Sequence, residues 1–223
     1  MLFALYAGLG YLVGSIPFGF IIGRLYGLDI RTQGSGNIGS TNVSRVLGRK
    51  WGILCFLLDV AKGLAPVFAA GSFARQQWPG HTDAALSPIA QWFVLLTGAA
   101  CIVGHMFSLY LRFRGGKGVA TSLGVVLGVW PYFTFAGVVA FALWVAVWGM
   151  WRYVSLASIV AAVAFPAALL TLIWRMDAWA LTRLWPLVGF SVLMAALVIL
   201  RHRSNIARLL AGTELRGGQK KTS

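Results

Sequence analysis

Three short polar stretches hold the residues of this chain whose types and spacing could do chemistry. They are Gly34-Ser35-Gly36-Asn37-Ile38-Gly39-Ser40-Thr41-Asn42, Arg114-Gly115-Gly116-Lys117-Gly118 and Arg201-His202-Arg203-Ser204-Asn205. Each sets glycines or small polar side chains beside cations, and each lies between long apolar runs. Successive backbone N–H groups in such turns form concave nests for anions. Arginine and lysine add charge-assisted hydrogen bonds to phosphate. The chemistry that fits is the holding of an anionic, phosphate-bearing ligand at a bilayer surface.

In the first stretch, Gly34, Gly36 and Gly39 are expected to reach positive φ and let N–H groups approach a ligand with no Cβ in the way. Ser40 or Thr41 is placed to N-cap a short amphipathic helix that Gly48 ends, which would bring a helix N-terminus and Arg45 to the same spot. It is not a Walker loop, because no Gly-Lys-Ser/Thr follows at the required spacing. The second stretch leads straight into an apolar run, so Gly115, Gly116 and Gly118 sit at a helix N-terminus with Lys117 as a fixed cation. Just upstream, His105 taken alone reads as a helix-packing or hydrogen-bonding histidine. In the third stretch His202, Asn205 and Leu209 fall at i, i+3 and i+7, on one helix face, and Arg201 and Asn205 are i, i+4 partners. Glu214 is the single glutamate of the chain. Lying in a cationic tail, it is expected to orient an arginine, a lysine or His202.

Asp59 and Lys62 form an i, i+3 pair inside an apolar run. An isolated charge there would cost about 2.5–3.5 kcal/mol on insertion scales. The two must therefore face the bundle interior or a wet cavity. Either they pair with each other, or Lys62 serves a substrate directly.

The elements that position these residues follow from composition. Hydrophobic residues make up 59% of the 223 and charged residues 11%, and the mean hydropathy is +0.79; ordinary soluble domains are roughly 45–50% apolar and about 25% charged. This is an all-α, polytopic membrane bundle forming one domain over residues 1–223. A span takes about 20 apolar residues, and candidates lie at 2–23, 51–73, 89–111, 119–130, 132–151, 154–174 and 184–200. The fourth is short and Pro131 follows it. It is either a half-helix preceding a full one, giving seven spans, or part of a single broken span, giving six.

Cations cluster after the first, third, fifth and last runs, which by the positive-inside tendency puts the C-terminus and all three polar stretches in the cytoplasm. With seven spans the N-terminus lies outside. The formal charge of +14 is scattered among spans and forms no separate basic domain, so anionic lipid and a phosphorylated substrate fit it better than nucleic acid. Met1-Leu2-Phe3-Ala4 lacks the basic start of a cleavable signal, and the first run is too long for one. Cys55 and Cys101 fall inside predicted spans and read as packing residues. The loop 75–87 and the tail 217–223 are polar and expected to be flexible. No metal or cofactor site is expected. A transporter of a phosphorylated solute is the competing reading, since broken helices facing anions serve transporters too. Against it, no inverted repeat is visible.

Taken together, the runs Gly-Ser-Gly-Asn-Ile-Gly-Ser-Thr-Asn-Val-x-Arg (34–45), Gly-His-x-Phe…Phe-x-Gly-Gly-Lys-Gly-Val-Ala-Thr (104–121) and Arg-His-x-x-Asn-Ile-x-Arg-Leu-x-x-Gly-Thr-Glu (201–214) closely resemble the three signature motifs of the PlsY family of bacterial acyl-phosphate:glycerol-3-phosphate acyltransferases. The likeness extends over nearly the whole chain, including Gly14-Ser15-Ile16-Pro17 and Asp59-x-x-Lys62-Gly63. It departs at Ser108, where the family usually has proline. The resemblance implies transfer of a fatty acyl group from acyl phosphate to the 1-hydroxyl of sn-glycerol 3-phosphate, the first acylation of phospholipid synthesis. It implies seven spans in the bacterial inner membrane, a site facing the cytoplasm, no metal and no acyl-CoA, and a possible functional link to an acyl-phosphate synthase. It assigns Ser35, Arg45, Lys117 and His202 to the glycerol 3-phosphate phosphate, and the backbone from Asn37 to Thr41 with Asn205 to the acyl phosphate. Gly36, Asn42, Lys62, His105, Gly115, Gly116 and Gly118 join the binding set. Arg208 and Glu214 hold the third motif in shape.

Overall fold

Proline at position 17 removes a backbone donor and crowds the preceding turn, and the first apolar run breaks there into α1 (Leu2–Ser15) and α2 (Phe18–Leu25). This break was not foreseen from the apolar pattern. The computed structural model describes residues 1–80 and 86–217; part of the polar loop and the tail 218–223 lie outside the described residues. The chain continues through α3 (Ser40–Leu47), α4 (Arg49–Gln77), α5 (Pro88–Met106), α6 (Val119–Gly128), α7 (Tyr132–Trp151), α8 (Val154–Arg175), α9 (Leu181–Arg201) and α10 (Arg203–Leu210).

Among the described residues, six segments are long and apolar enough to cross a membrane: α1 with α2, α4, α5 with the turn after it, α7, α8 and α9. The seventh, α6, has 10 residues. It rises about 15 Å, half of a hydrocarbon core of about 30 Å. The short fourth run is thus a half-helix followed by the full α7. The protein is a multi-pass membrane bundle.

Small residues let the helices that carry the polar stretches approach closely, as van der Waals packing in lipid requires. Gly14 of α1 lies against the Cys101 backbone of α5, and Gly104 of α5 lies against Tyr11 and Gly14 in return. On α4, Gly63 meets the Thr121 carbonyl of α6, and Gly124 of α6 meets the Val60 carbonyl. Ser108, in the turn after α5, has φ −61°, a value proline also adopts. Its hydroxyl donates to the Ser15 carbonyl at 2.6 Å, so the departure from the family pattern keeps the bend and adds a tie to the end of α1. The main core, around Phe93, Phe133 and Leu187, fills the middle of the bundle; a smaller one of Ile22, Ile30, Ile38, Val43, Cys55 and Leu111 lies under the first polar stretch.

Gly14→Val should be destabilised by about 1–3 kcal/mol or more from overpacking, because a Cβ there meets backbone that cannot move aside. Gly189→Ala, where nothing lies within 4 Å, should stay within about 0.5 kcal/mol of the parent or exceed it. Thermal unfolding in detergent distinguishes the two.

Candidate active site

The first polar stretch is a loop pinned by one side chain. Asn42, itself buried, accepts from the Ser35 N–H at 2.7 Å and donates to the Ile30 and Gln33 carbonyls, both at 3.0 Å. Its amide is committed to shaping the loop rather than to a ligand. Gly34 and Gly36 have φ of 57° and 71° as expected, but Gly39 is extended at φ −77°. Asn37 explains this: its Oδ1 accepts from the Gly39 N–H at 2.8 Å. The N-cap of α3 is Gly39, not Ser40 or Thr41, and no side chain caps the helix. The uncapped first turn, carrying Ser40 and Thr41, therefore faces the cavity described below. Gly48 ends α3 with φ 99°, as expected. Arg45 is half-buried in the same wall and donates to the Leu215 carbonyl at 3.3 Å, while its Nε has no partner among the described residues.

The second stretch is held by an arginine that spacing had paired with Asn205. Arg201 instead donates from Nη2 to the carbonyls of Gly116 (2.8 Å), Met106 (3.2 Å) and Gly115 (3.3 Å), and from Nε to Gly116. The Gly115 and Gly116 N–H groups bond back to the Met106 and His105 carbonyls. A Cβ on Gly116 would strike the His105 ring. Gly115 and Gly116 thus serve close packing, whereas Lys117 and Gly118 reach the cavity. Gly118, at φ 82°, caps α6.

The third stretch is not one continuous helix face. α9 stops at Arg201, His202 is the joint, and α10 restarts at Arg203. The bend still brings His202 and Asn205 to one cavity wall. Asn205 Oδ1 accepts from Lys117 Nζ at 2.5 Å, and its Nδ2 donates to Glu214 Oε1 at 2.6 Å. Glu214 also accepts from the Ser155 hydroxyl at 2.7 Å and from Arg208 Nε at 2.7 Å. Burial works against its charge, yet these hydrogen bonds hold the carboxyl below the usual range. Ser155 was missed by sequence reasoning, because a serine at the start of the apolar α8 has no spacing to connect it with a residue 59 positions away.

Electrostatics follow from this clustering. Burial lowers Arg45, with Glu214 pulling the other way. Lys117 falls to about 8, mainly through burial, with Arg208, Arg45 and Arg201 repelling it and Glu214 attracting it. His202 falls to about 4 through burial and the neighbouring Lys117. Its Nδ1 lies 2.7 Å from the Val198 carbonyl, which can only accept, so the neutral ring carries its proton on Nδ1 and leaves Nε2 as an acceptor. That tautomer suits a substrate hydroxyl better than a phosphate oxygen.

Lys62 and His105 take other positions. Lys62 pairs with Asp59 at 2.7 Å and donates to the Ile16 carbonyl at 2.6 Å; pairing is the outcome of the two readings. His105 lies in the cavity wall but is buried. Among the described residues no group of three or more His, Cys, Asp or Glu could hold a metal ion.

All three stretches open on one cavity of about 1280 Å³, larger than the roughly 300–1,000 Å³ of usual small-molecule sites. Ser35, Arg45, Lys117, His202, Asn205 and Glu214 line one part; Phe56, Val126, Gly137, Ala140, Phe165 and Ala195 line another. Its shape suits an amphiphile with an anionic head and a long apolar tail.

Residues 4–212 match the family model described as glycerol-3-phosphate acyltransferase. A glycerol-3-phosphate acyltransferase of Trichlorobacter lovleyi is 46% identical over 204 residues, 92% of each chain. One of Thermosynechococcus vestitus is 43% identical over 98% of this chain and 96% of its own. Crystal structures of PlsY (YgiH), an integral membrane glycerol 3-phosphate acyltransferase, are similar in both the glycerol 3-phosphate form (TM-score 0.78) and the lysophosphatidic acid form (TM-score 0.75), each at 38% identity over 96% of this chain and 94% of that one.

Because Lys117 titrates near 8 rather than 10.5, affinity for a phosphomonoester such as glycerol 3-phosphate should fall as pH rises through about 8, where the ammonium loses its proton. Lys117→Arg, whose group stays protonated, should move that loss above about pH 10. Calorimetric titration between pH 6 and 10 measures both.

Proposed function

The chain belongs to the glycerol-3-phosphate acyltransferase family, and from that premise we propose that it takes its acyl group from acyl phosphate and delivers it to the 1-hydroxyl of sn-glycerol 3-phosphate. The products are 1-acyl-glycerol 3-phosphate and inorganic phosphate. The observation that carries this reading is the two-part cavity, cationic where the polar stretches meet and apolar between the helices.

Acyl phosphate is a mixed anhydride with a good leaving group, so no acyl-enzyme is needed. The protein's work is to place two anions and stabilise developing charge. Ser35, Arg45 and Lys117 hold the glycerol 3-phosphate phosphate. The open first turn of α3, from Asn37 to Thr41, takes the phosphate of the donor with help from Asn205. The C1 oxygen attacks the acyl carbonyl carbon, the bond from that carbon to the phosphate oxygen breaks, and phosphate departs. The hydroxyl proton passes to a substrate phosphate. A phosphomonoester, with a second pKa of about 6, is a stronger base than His202 at about 4. His202 therefore only orients the hydroxyl, accepting from it through Nε2 before reaction; as the C1 oxygen attacks, that proton turns to the substrate phosphate, and the ring does not become an imidazolium beside Lys117. By the positive-inside tendency the cations around the site support a location at the cytoplasmic face of the bacterial inner membrane, where an acyl-phosphate synthase would supply the donor.

Purified protein in lipid vesicles should release phosphate when given palmitoyl phosphate and glycerol 3-phosphate together, and not with either alone. Efficient acylation from palmitoyl-CoA without acyl phosphate would overturn the donor assignment.

A further inference from the structure

In and behind the cavity wall, a set of buried groups that the transfer chemistry does not use joins two of the phosphate-binding loops. Asp59, on α4, is its centre. Its Oδ1 lies 2.7 Å from Lys62 Nζ and 3.7 Å from His105 Nδ1, and its Oδ2 lies 3.8 Å from Cys55 Sγ. Each of these three neighbours leads elsewhere. Lys62 donates to the Ile16 carbonyl, at the break between α1 and α2. Cys55 Sγ is 4.0 Å from the carbonyl of Ile38, the buried residue in the middle of the first polar stretch. The His105 ring is seated directly under Gly116, and the His105 carbonyl accepts the Gly116 N–H at 3.0 Å.

A carboxylate buried to 2% exposure beside one lysine would satisfy its charge through that lysine alone. Here it also lies beside groups on α4 and α5 that lead to two different loops lining the cavity. We infer that Asp59 is a positioning residue: through Cys55 it sets the height of the Asn37–Thr41 loop, through His105 that of the Gly116–Lys117 loop, and so it fixes the distance between the two bound phosphates. Lys62 pairs with the carboxylate and anchors it to the broken first span. Asp59 does not hold substrate itself. This inference rests on the acyl-transfer reading above.

The acyl phosphate is held by the Asn37–Thr41 turn with Asn205, whereas the glycerol 3-phosphate phosphate lies between Ser35 and Arg45 on one side and Lys117 on the other, so a shift between the loops both loosens it and moves the hydroxyl away from the acyl carbon. A misplacement of about 1 Å can cost on the order of 10²-fold in rate. Asp59→Asn in the full-length protein should lower kcat about 10²-fold and raise the Michaelis constant for glycerol 3-phosphate, while that for acyl phosphate changes less than about threefold. Because Asp59→Asn strands Lys62 as a lone buried charge and could prevent folding, Cys55→Ala/His105→Leu serves as the second variant. It leaves the Asp59–Lys62 pair intact, cuts both arms, and should show the same pattern in kcat and the two Michaelis constants. Thermal unfolding confirms that each variant is folded. A folded Cys55→Ala/His105→Leu protein with parental kcat, or one whose only loss lies in the Michaelis constant for acyl phosphate, would overturn the positioning role. The parent protein assayed alongside separates the two claims: an inactive parent would overturn the acyl-transfer reading, and an active parent with unimpaired variants would overturn only this inference.

Discussion

The site depends on one carboxylate among many cations. Arg45, Lys117 and Arg208 converge on a partly buried wall, where repulsion is screened less than in water. Glu214 offsets it by accepting hydrogen bonds from Asn205, Ser155 and Arg208 at 2.6–2.7 Å. The same contacts tie the chain after α10 to the first turn of α8, and the next residue, Leu215, accepts from Arg45 on α3. Electrostatic compensation and mechanical closure of the pocket are thus one set of bonds. The cationic wall that results keeps more positive than negative charge, which is what the two phosphate-bearing substrates of the proposed reaction would need.

The membrane setting explains why the loops are built from breaks. Irregular backbone at membrane depth is tolerated only where protein or a wet cavity satisfies its polar groups. Each interruption here is answered by a specific donor or acceptor. Lys62 reaches the Ile16 carbonyl at the break after α1. Arg201 gathers the carbonyls of Met106, Gly115 and Gly116 before α6. The His202 joint is closed by its Nδ1 bond to Val198, and that bond in turn dictates which nitrogen faces the cavity.

Much of this was legible in the sequence because hydropathy and glycine placement report on burial and backbone freedom directly. The apolar runs became helices, the 119–130 run proved short for the reason Pro131 hinted at, and the polar stretches met at one cavity. The errors came where a side chain far away decides the local geometry. Ser40 and Thr41 satisfy every local rule for an N-cap, but Asn37 draws Gly39 into the cap position and leaves the helix end open. Arg201 and Asn205 have the spacing of partners on a straight helix, but the helix bends between them. Asn42 looked like a ligand-binding amide because it lies in a polar loop, yet the loop's own carbonyls take it up. The contact of Ser155 with Glu214 needed the fold, since Ser155 neighbours no polar motif in sequence.

The central claim is that loops distant in sequence form one phosphate pocket. The most direct measurement is a double-mutant cycle on the dissociation constant of glycerol 3-phosphate, using Arg45→Gln, Lys117→Gln and the pair. If both cations hold the same phosphate, each single variant weakens binding, and the double variant departs from additivity by more than about 0.5 kcal/mol. Additive losses within about 0.3–0.5 kcal/mol, or a single variant that binds as the parent does, would contradict the account.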